Sequence, residues 1–172
     1  MYTVDRHDRV VELTQLPRPS VGAPLPVALA DEGRLLLAYL LEVPVPGWDG
    51  TWTRLVDPDT ADPVVLVRFT GVTAWQWGPP NDEAFQGHPL ADRGLRPYGV
   101  FRVDDSSWIR QVERMNRVHS QHRPEMFSDL VHVVFTFHDS TLEALAREFI
   151  AEPRLGPMAA VVGEMQQLLL SH

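Results

Sequence analysis

The chain has 172 residues, a formal net charge of −8 with histidines neutral, 44% hydrophobic residues and no cysteine. All fifteen basic residues are arginine, which excludes thiol nucleophiles, thiolate metal sites, redox pairs, Schiff-base lysines and lysine-dependent phosphate loops. A chain of this length can bury roughly 70% of its unfolded surface, so one domain over residues 1–172 needs no metal or disulfide staple.

In chain order, residues 9–13 read as a short strand, and Pro17, Pro19, Pro24 and Pro26 make the next segment a loop or sheet edge. Residues 34–43 form an apolar run that stops at Pro44-Val45-Pro46-Gly47, the bracket of a buried strand. Trp48 to Trp52 reads as a tight turn between two aromatics, and residues 57–63 as turn chemistry between strands. Residues 64–69 and 72–77 read as two strands broken at Gly71, and Gly78-Pro79-Pro80 opens a polar loop that reaches Pro97. Residues 98–103 alternate as another strand. Asp104-Asp105-Ser106-Ser107 then caps a helix running to Val118, with Trp108, Val112 and Met115 as its buried stripe. Residues 130–137 are the clearest strand of the chain.

Residues 141–150 carry two readings. Leu142, Leu145, Ala146, Phe149 and Ile150 have helical spacing behind a Ser140/Thr141 cap with Glu143 close by. His138-Asp139-Ser140 is equally a hairpin turn that feeds an antiparallel return strand. Propensity favours the helix. Pro157 then opens a last helix with Met158, Val161, Val162, Met165, Leu168 and Leu169 on its apolar face. No repeat or linker divides the chain. The expected fold is a single α+β domain, mainly antiparallel sheet with two or three helices in the C-terminal half.

The sequence pI is near 5.3, and the arginines lie among carboxylates from Arg6 to Arg154 with no basic stripe. Nucleic acid is therefore not an expected partner. The longest apolar stretch, residues 35–43, is broken by Glu42 and is too short to span a membrane. With no secretory pattern at the start, the expected location is the cytoplasm.

Polar residues concentrate in three stretches. The first, residues 80–90, sets Asn81, Asp82, Glu83 and His88 in one loop behind two prolines, where a rigid sheet can present them. Helix capping by Asn81 or Asp82 is the simpler account of the same residues. The second stretch places Glu113, Asn116 and His119 three apart, with Arg117 and His122 beside them. Its simpler account is a solvated helix end, where histidines suit the negative pole. The third is the end of the clearest strand, where His132, Thr136 and His138 share one face and Asp139 and Ser140 follow. A surface strand with a capped turn explains these residues without chemistry.

At these residues the chain resembles an uncharacterised family of small bacterial proteins. The shared segments are Pro80-Asn81-Asp82-Glu83, Gly87-His88-Pro89-Leu90, Gly94-Leu95, Tyr98, Ser107-Trp108-Ile109, Asn116-Arg117-Val118-His119 and Thr136-Phe137-His138-Asp139-Ser140. They cover residues 64–148, about half of the chain. The resemblance implies kinship and a strand hairpin over residues 131–148, and it lends no activity.

The familiar nucleophile-elbow, phosphate-loop and zinc-helix motifs are absent. What remains is His, Asp and Glu, the residues of acid–base chemistry near neutral pH. The expectation is an enzyme or ligand-binding protein acting on a small organic molecule without a redox cofactor, as a hydrolase, lyase, isomerase or cyclase. Its catalytic candidates are His88, His138, Asp82, Glu83 and His119, gathered in one pocket. Asn81, Asn116, Arg117 and Arg96 are the substrate-binding candidates, with arginine holding an anionic group. A metal held by these histidines and carboxylates would need ligands converging from three loops. The alternative is a non-catalytic interaction protein of the immunity or accessory-subunit kind, whose exposed aromatics Trp48 and Trp52 meet one protein partner.

Overall fold

The computed structural model describes residues 2–42 and 62–171, so the turn readings at Trp48–Trp52 and over residues 57–61 lie outside the described residues. The described elements are β1 (Arg9–Glu12), β2 (Val27–Ala30), β3 (Arg34–Leu40), β4 (Pro63–Thr70), β5 (Ala74–Gly78), β6 (Gly99–Asp104), α1 (Ser107–Asn116), β7 (Val131–Thr136), β8 (Thr141–Ala146), β9 (Glu148–Leu155) and α2 (Met158–Leu170). The strands form two antiparallel sheets, one in the order β1-β6-β7-β8-β5 and the other β2-β3-β4-β9. This is the expected α+β architecture. None of the described helices is long and apolar enough to cross a membrane.

Alternation along the strands sets the layers. Leu35, Leu37 and Tyr39 of β3 and Val65, Val67 and Phe69 of β4 face Val133 and Phe135 of β7 and Leu142 and Ala144 of β8. This is the core between the sheets. On the far side of the second sheet, Leu36, Ala38, Leu66 and their neighbours pack against Met158, Val161 and Met165 of α2. On the far side of the first sheet, Phe101, Val103, Val134 and Leu145 are covered by Tyr2, by Phe85, Leu90 and Leu95 of the 79–97 loop, and by Trp108 of α1. Central strands are therefore buried on both faces, which is why β3 reads as a continuous apolar run.

Residues 141–150 are not a helix. β8 lies between β7 and β5, with Val134 and Gln76 both opposite Glu143, and Arg147 separates it from β9. Their helical spacing is incidental, because the strand carries apolar residues on both of its faces. Leu142, Ala144 and Ala146 point between the sheets, while Thr141, Glu143 and Leu145 point to the covered outer face. Two-sided packing of a central strand outweighs local propensity. The paired segments β4–β5 and β8–β9 pass together from one sheet to the other. At this crossing Gly71 has φ +62°, and a Cβ there would lie 2.8 Å from the Arg147 side chain, so only glycine fits.

The stripe on α1 also needs correction. Trp108 is buried, Val112 is half-buried, and Met115 is 66% exposed. The helix ends at Asn116, short of Val118, and the turn at residues 119–123 covers the Glu113 and Asn116 side. Only the first turns of α1 rest on the sheet.

Candidate functional site

The tip of the β7–β8 hairpin and the loop that follows β5 meet at one end of the first sheet. The turn closes with Phe137 N–H donating to Ser140 O at 2.8 Å, and Trp77 Nε1 donates to Ser140 Oγ at 2.8 Å. The loop begins at the cis Pro79–Pro80 bond and docks through Asp82 N–H, which donates to His138 O at 2.9 Å. Asn81 Oδ1 accepts from Ala84 N–H at 3.0 Å, so Asn81 caps the loop's first turn.

These backbone links bring four polar side chains together. Tyr98 OH donates to Asp82 Oδ2 at 2.5 Å, a charge-assisted bond. The Tyr98 backbone is left-handed at φ +59°, a strained setting for a bulky residue. Around it Thr136 Oγ1 donates to Arg96 O and accepts from Gly99 N–H, which locks the turn. His138 Nδ1 lies 2.9 Å from Asp139 Oδ1, and its Nε2 lies 4.0 Å from Asp82 Oδ2. The imidazole is 45% exposed. The hydrogen bond to Asp139 raises its pKa above the ordinary histidine value against partial burial, and the charges of Asp82, Asp139 and Glu83 add to this. The Tyr98 hydroxyl holds the Asp82 carboxyl below its usual range, and burial followed by Asp82 pushes Tyr98 up.

A second polar group lies deep in the same outer layer. Glu143, buried on β8, accepts from Tyr2 OH at 2.6 Å and His132 Nε2 at 2.9 Å on one oxygen. Its other oxygen accepts from Gln76 Nε2 at 2.5 Å and faces His88 Nε2 at 3.5 Å. Leu90 N–H donates to His88 Nδ1, so the His88 proton sits on Nε2 and points at Glu143. Ser106 Oγ accepts from Ile109 N–H as the α1 cap, which turns its own proton toward His132 Nδ1 at 2.9 Å. Both imidazoles are thereby set as Nε2 donors to one carboxylate. Burial alone would raise the Glu143 pKa, but the hydrogen bonds from His132, His88 and Tyr2 hold it far below the usual carboxylate range. Tyr2 is pushed far up by burial and by Glu143, and its ring stacks on Trp108 at 5.2 Å. With its lone pairs occupied by donors, this carboxylate is a structural hub. Among the described residues, no group of three or more His, Asp and Glu side chains is arranged to hold a metal ion.

The expected single pocket is therefore divided. Asp82 and His138 come together, and exposed Glu83 contributes charge beside them. His88 belongs to the buried hub and cannot meet a substrate. His119 and Asn116 line a separate cleft with Met126, which precedes β7, whereas His138 follows β7. The six residues of β7 place the two on the order of 20 Å apart, at ~3.3 Å per residue. Arg117 is paired with Glu113 at 2.8 Å, and Arg96 is exposed, contributing its carbonyl to the Tyr98 turn. The third stretch is no surface strand, since His132 and Thr136 are fully buried.

Sequence reasoning missed Glu143, His132, Tyr2 and Gln76 as a cluster, and Tyr98 as the partner of Asp82. The hairpin reading of residues 131–148 contains the signal for the first pair, because period-two alternation turns His132 and Glu143 to one face. Nothing local marks Tyr2, which is 141 positions away from its partner. Comparisons with protein-family models, curated proteins and solved structures returned no match to the chain.

Proposed function

We propose that the protein is a small enzyme that moves protons on an organic substrate at the tip of the β7–β8 hairpin, with His138 as the proton-transfer group. One observation supports this reading above others: a half-exposed imidazole has Asp139 on Nδ1 and Asp82 facing Nε2. A neutral His138 that donates Nδ1–H to Asp139 keeps a lone pair on Nε2, the atom a substrate can reach. Nε2 takes a proton from the substrate, and the resulting imidazolium, flanked by Asp82, returns it to the departing or neighbouring atom. The raised pKa makes Nε2 a stronger base for this first proton transfer. Asp139 fixes the ring and its tautomer, and Tyr98 fixes Asp82. Hydrolysis, elimination, isomerisation and cyclisation all fit such a pair without a redox cofactor. Kinship with the family of small bacterial proteins is part of this reading, because the Pro80–Glu83 and Thr136–Ser140 segments that carry it build this tip.

The test is consumption of compounds from a mixed small-molecule extract, followed by mass spectrometry. The wild-type protein is expected to deplete at least one compound. His138→Gln should not, with its melting temperature unchanged. Equal depletion by both proteins, or depletion by neither, overturns the reading.

A second reading, a non-catalytic interaction protein, is favoured by one specific feature. Trp75 and Trp77 are 41% and 39% exposed on β5, the outer strand of the five-stranded sheet beside the hairpin tip. Under that reading Trp75→Ala and Trp77→Ala abolish partner binding, and His138→Gln changes no chemistry.

A further inference from the structure

The chain is acidic overall, yet residues 107–123 hold four arginines, two histidines and a single carboxylate, Glu113. They form α1 and the turn that follows it. There a cleft of about 790 Å³ opens between the end of α1 and the 3-10 turn Pro124–Phe127, lined by Asn116, His119, Ser120, His122, Arg123 and Met126 among others. It is independent of the His138 tip.

Several polar groups of this cleft are set as donors. Gln121 N–H donates to His119 Nδ1 at 3.1 Å, so neutral His119 carries its proton on Nε2. Asn116 has its Oδ1 engaged by His122 Nδ1 at 3.0 Å, which leaves its NH2 group to donate. His122 is held from its other side by Glu113 Oε1 at 3.0 Å. Glu113 itself is saturated, since Arg117 Nε and Nη2 meet its two oxygens at 3.0 and 2.8 Å. The carbonyls ending α1 are also occupied, Arg114 O by Arg117 N–H and Asn116 O by His119 N–H. Among the described residues the Arg123 guanidinium has no hydrogen-bond or ion-pair partner, and the Ser120 hydroxyl is equally uncommitted. Glu113 and Asn116 Oδ1 are thus engaged internally, the Gln121 amide and the exposed Glu125 carboxylate are the side-chain acceptors left nearby, and a planar cation and three neutral donor groups belong to the lining.

We infer that this cleft binds an oxyanion, the carboxylate or phosphate group of a small molecule, with Arg123 as its charged anchor and His119, Ser120 and Asn116 as hydrogen-bond donors. Arginine suits this role because its fork matches two oxygens at once.

The experiment is an NMR titration of the full chain with inorganic phosphate and, separately, with succinate, following the Arg123 side-chain and His119 ring signals. Saturable shifts at both residues are expected with at least one of the two anions, and the arm that saturates at lower concentration identifies phosphate or carboxylate as the preferred group. Arg123→Gln should weaken the affinity about tenfold or more. Arg114→Gln removes an exposed arginine outside the lining and should leave the affinity unchanged. Shifts that fail to saturate with both anions overturn the inference. So does an equal loss in the two variants, which would mean unspecific attraction to a positive segment.

Discussion

Replacing Glu143 with alanine removes an acceptor that holds four donors at once: the buried Tyr2 OH, His132 Nε2 and His88 Nε2, and the half-buried Gln76 Nε2. An orphaned buried donor costs about 1–3 kcal/mol, but the four losses do not add, because the space vacated admits water that restores part of the network. The net loss should resemble that of breaking a buried ion pair from one side, about 3–5 kcal/mol. For a chain of this size that lowers the melting temperature by roughly 6–20 °C. Glu143→Gln keeps the shape and one acceptor oxygen, yet turns an NH2 group against two donors, so about 2–4 kcal/mol is expected. A double-mutant cycle sharpens the test. Tyr2→Phe should cost about 1–2 kcal/mol in the parent and close to nothing beside Glu143→Ala, because the phenol has then already lost its acceptor. Urea denaturation supplies all four values. A Glu143→Ala protein within about 0.5 kcal/mol of the parent, or a cycle with no coupling, would refute the hub as the organiser of this layer.

The same carboxylate predicts a pH dependence. Its folded pKa lies below the ordinary 4.5, so its contribution is complete above that value and is lost as pH falls from there toward the folded value. Wild-type melting should fall more steeply between about pH 5 and pH 3 than that of Glu143→Gln, and parallel curves would contradict this. Trp108→Ala should cost about 3–5 kcal/mol, since the ring is buried between Tyr2 and His132, whereas Met115→Gln on the same helix should stay within about 0.5 kcal/mol. Equal effects at the two positions in thermal melts would mean that α1 is rotated from the orientation described. Tyr98→Phe removes the bond that holds Asp82 ionised, so the Asp82 titration followed by carboxyl NMR should move up toward the ordinary aspartate value. An unmoved titration would show that the Tyr98 hydroxyl does not control Asp82.

The strands were legible wherever alternation or an apolar run coincided with turn residues, as at β3, β4 and β7. β8 was not, because Leu142, Leu145, Ala146 and Phe149 fit a helical period, while a strand with apolar residues on both faces shows no one-sided alternation. The decision lies in what packs on both of its faces, a tertiary fact. That one ambiguity also hid the hub, since Glu143 turns toward His132 only in a strand paired as β7 pairs with β8. The Asp82–His138 meeting was anticipated from the density of polar residues at element ends, and the hairpin with its docked loop supplies it. His88 and His119 looked equivalent to His138 by residue type. Burial separates the first of them and the length of β7 the second, and neither can be read from composition.

The most direct measurement of the proposed acid–base site is the imidazole 15N spectrum of His138 across pH, in the parent and in Asp139→Asn. Because Asp139 and its neighbouring carboxylates favour the charged ring, the midpoint should lie above 6.5, with the neutral form protonated at Nδ1. Loss of the Asp139 charge should bring the midpoint down and free the tautomer. A raised histidine pKa contributes stability below its unfolded value that disappears as pH rises through the folded midpoint, so any change in melting should follow the same titration. A neutral ring protonated at Nε2, or a midpoint at or below 6.5 that ignores Asp139→Asn, would contradict the assignment of His138 as the proton-transfer group.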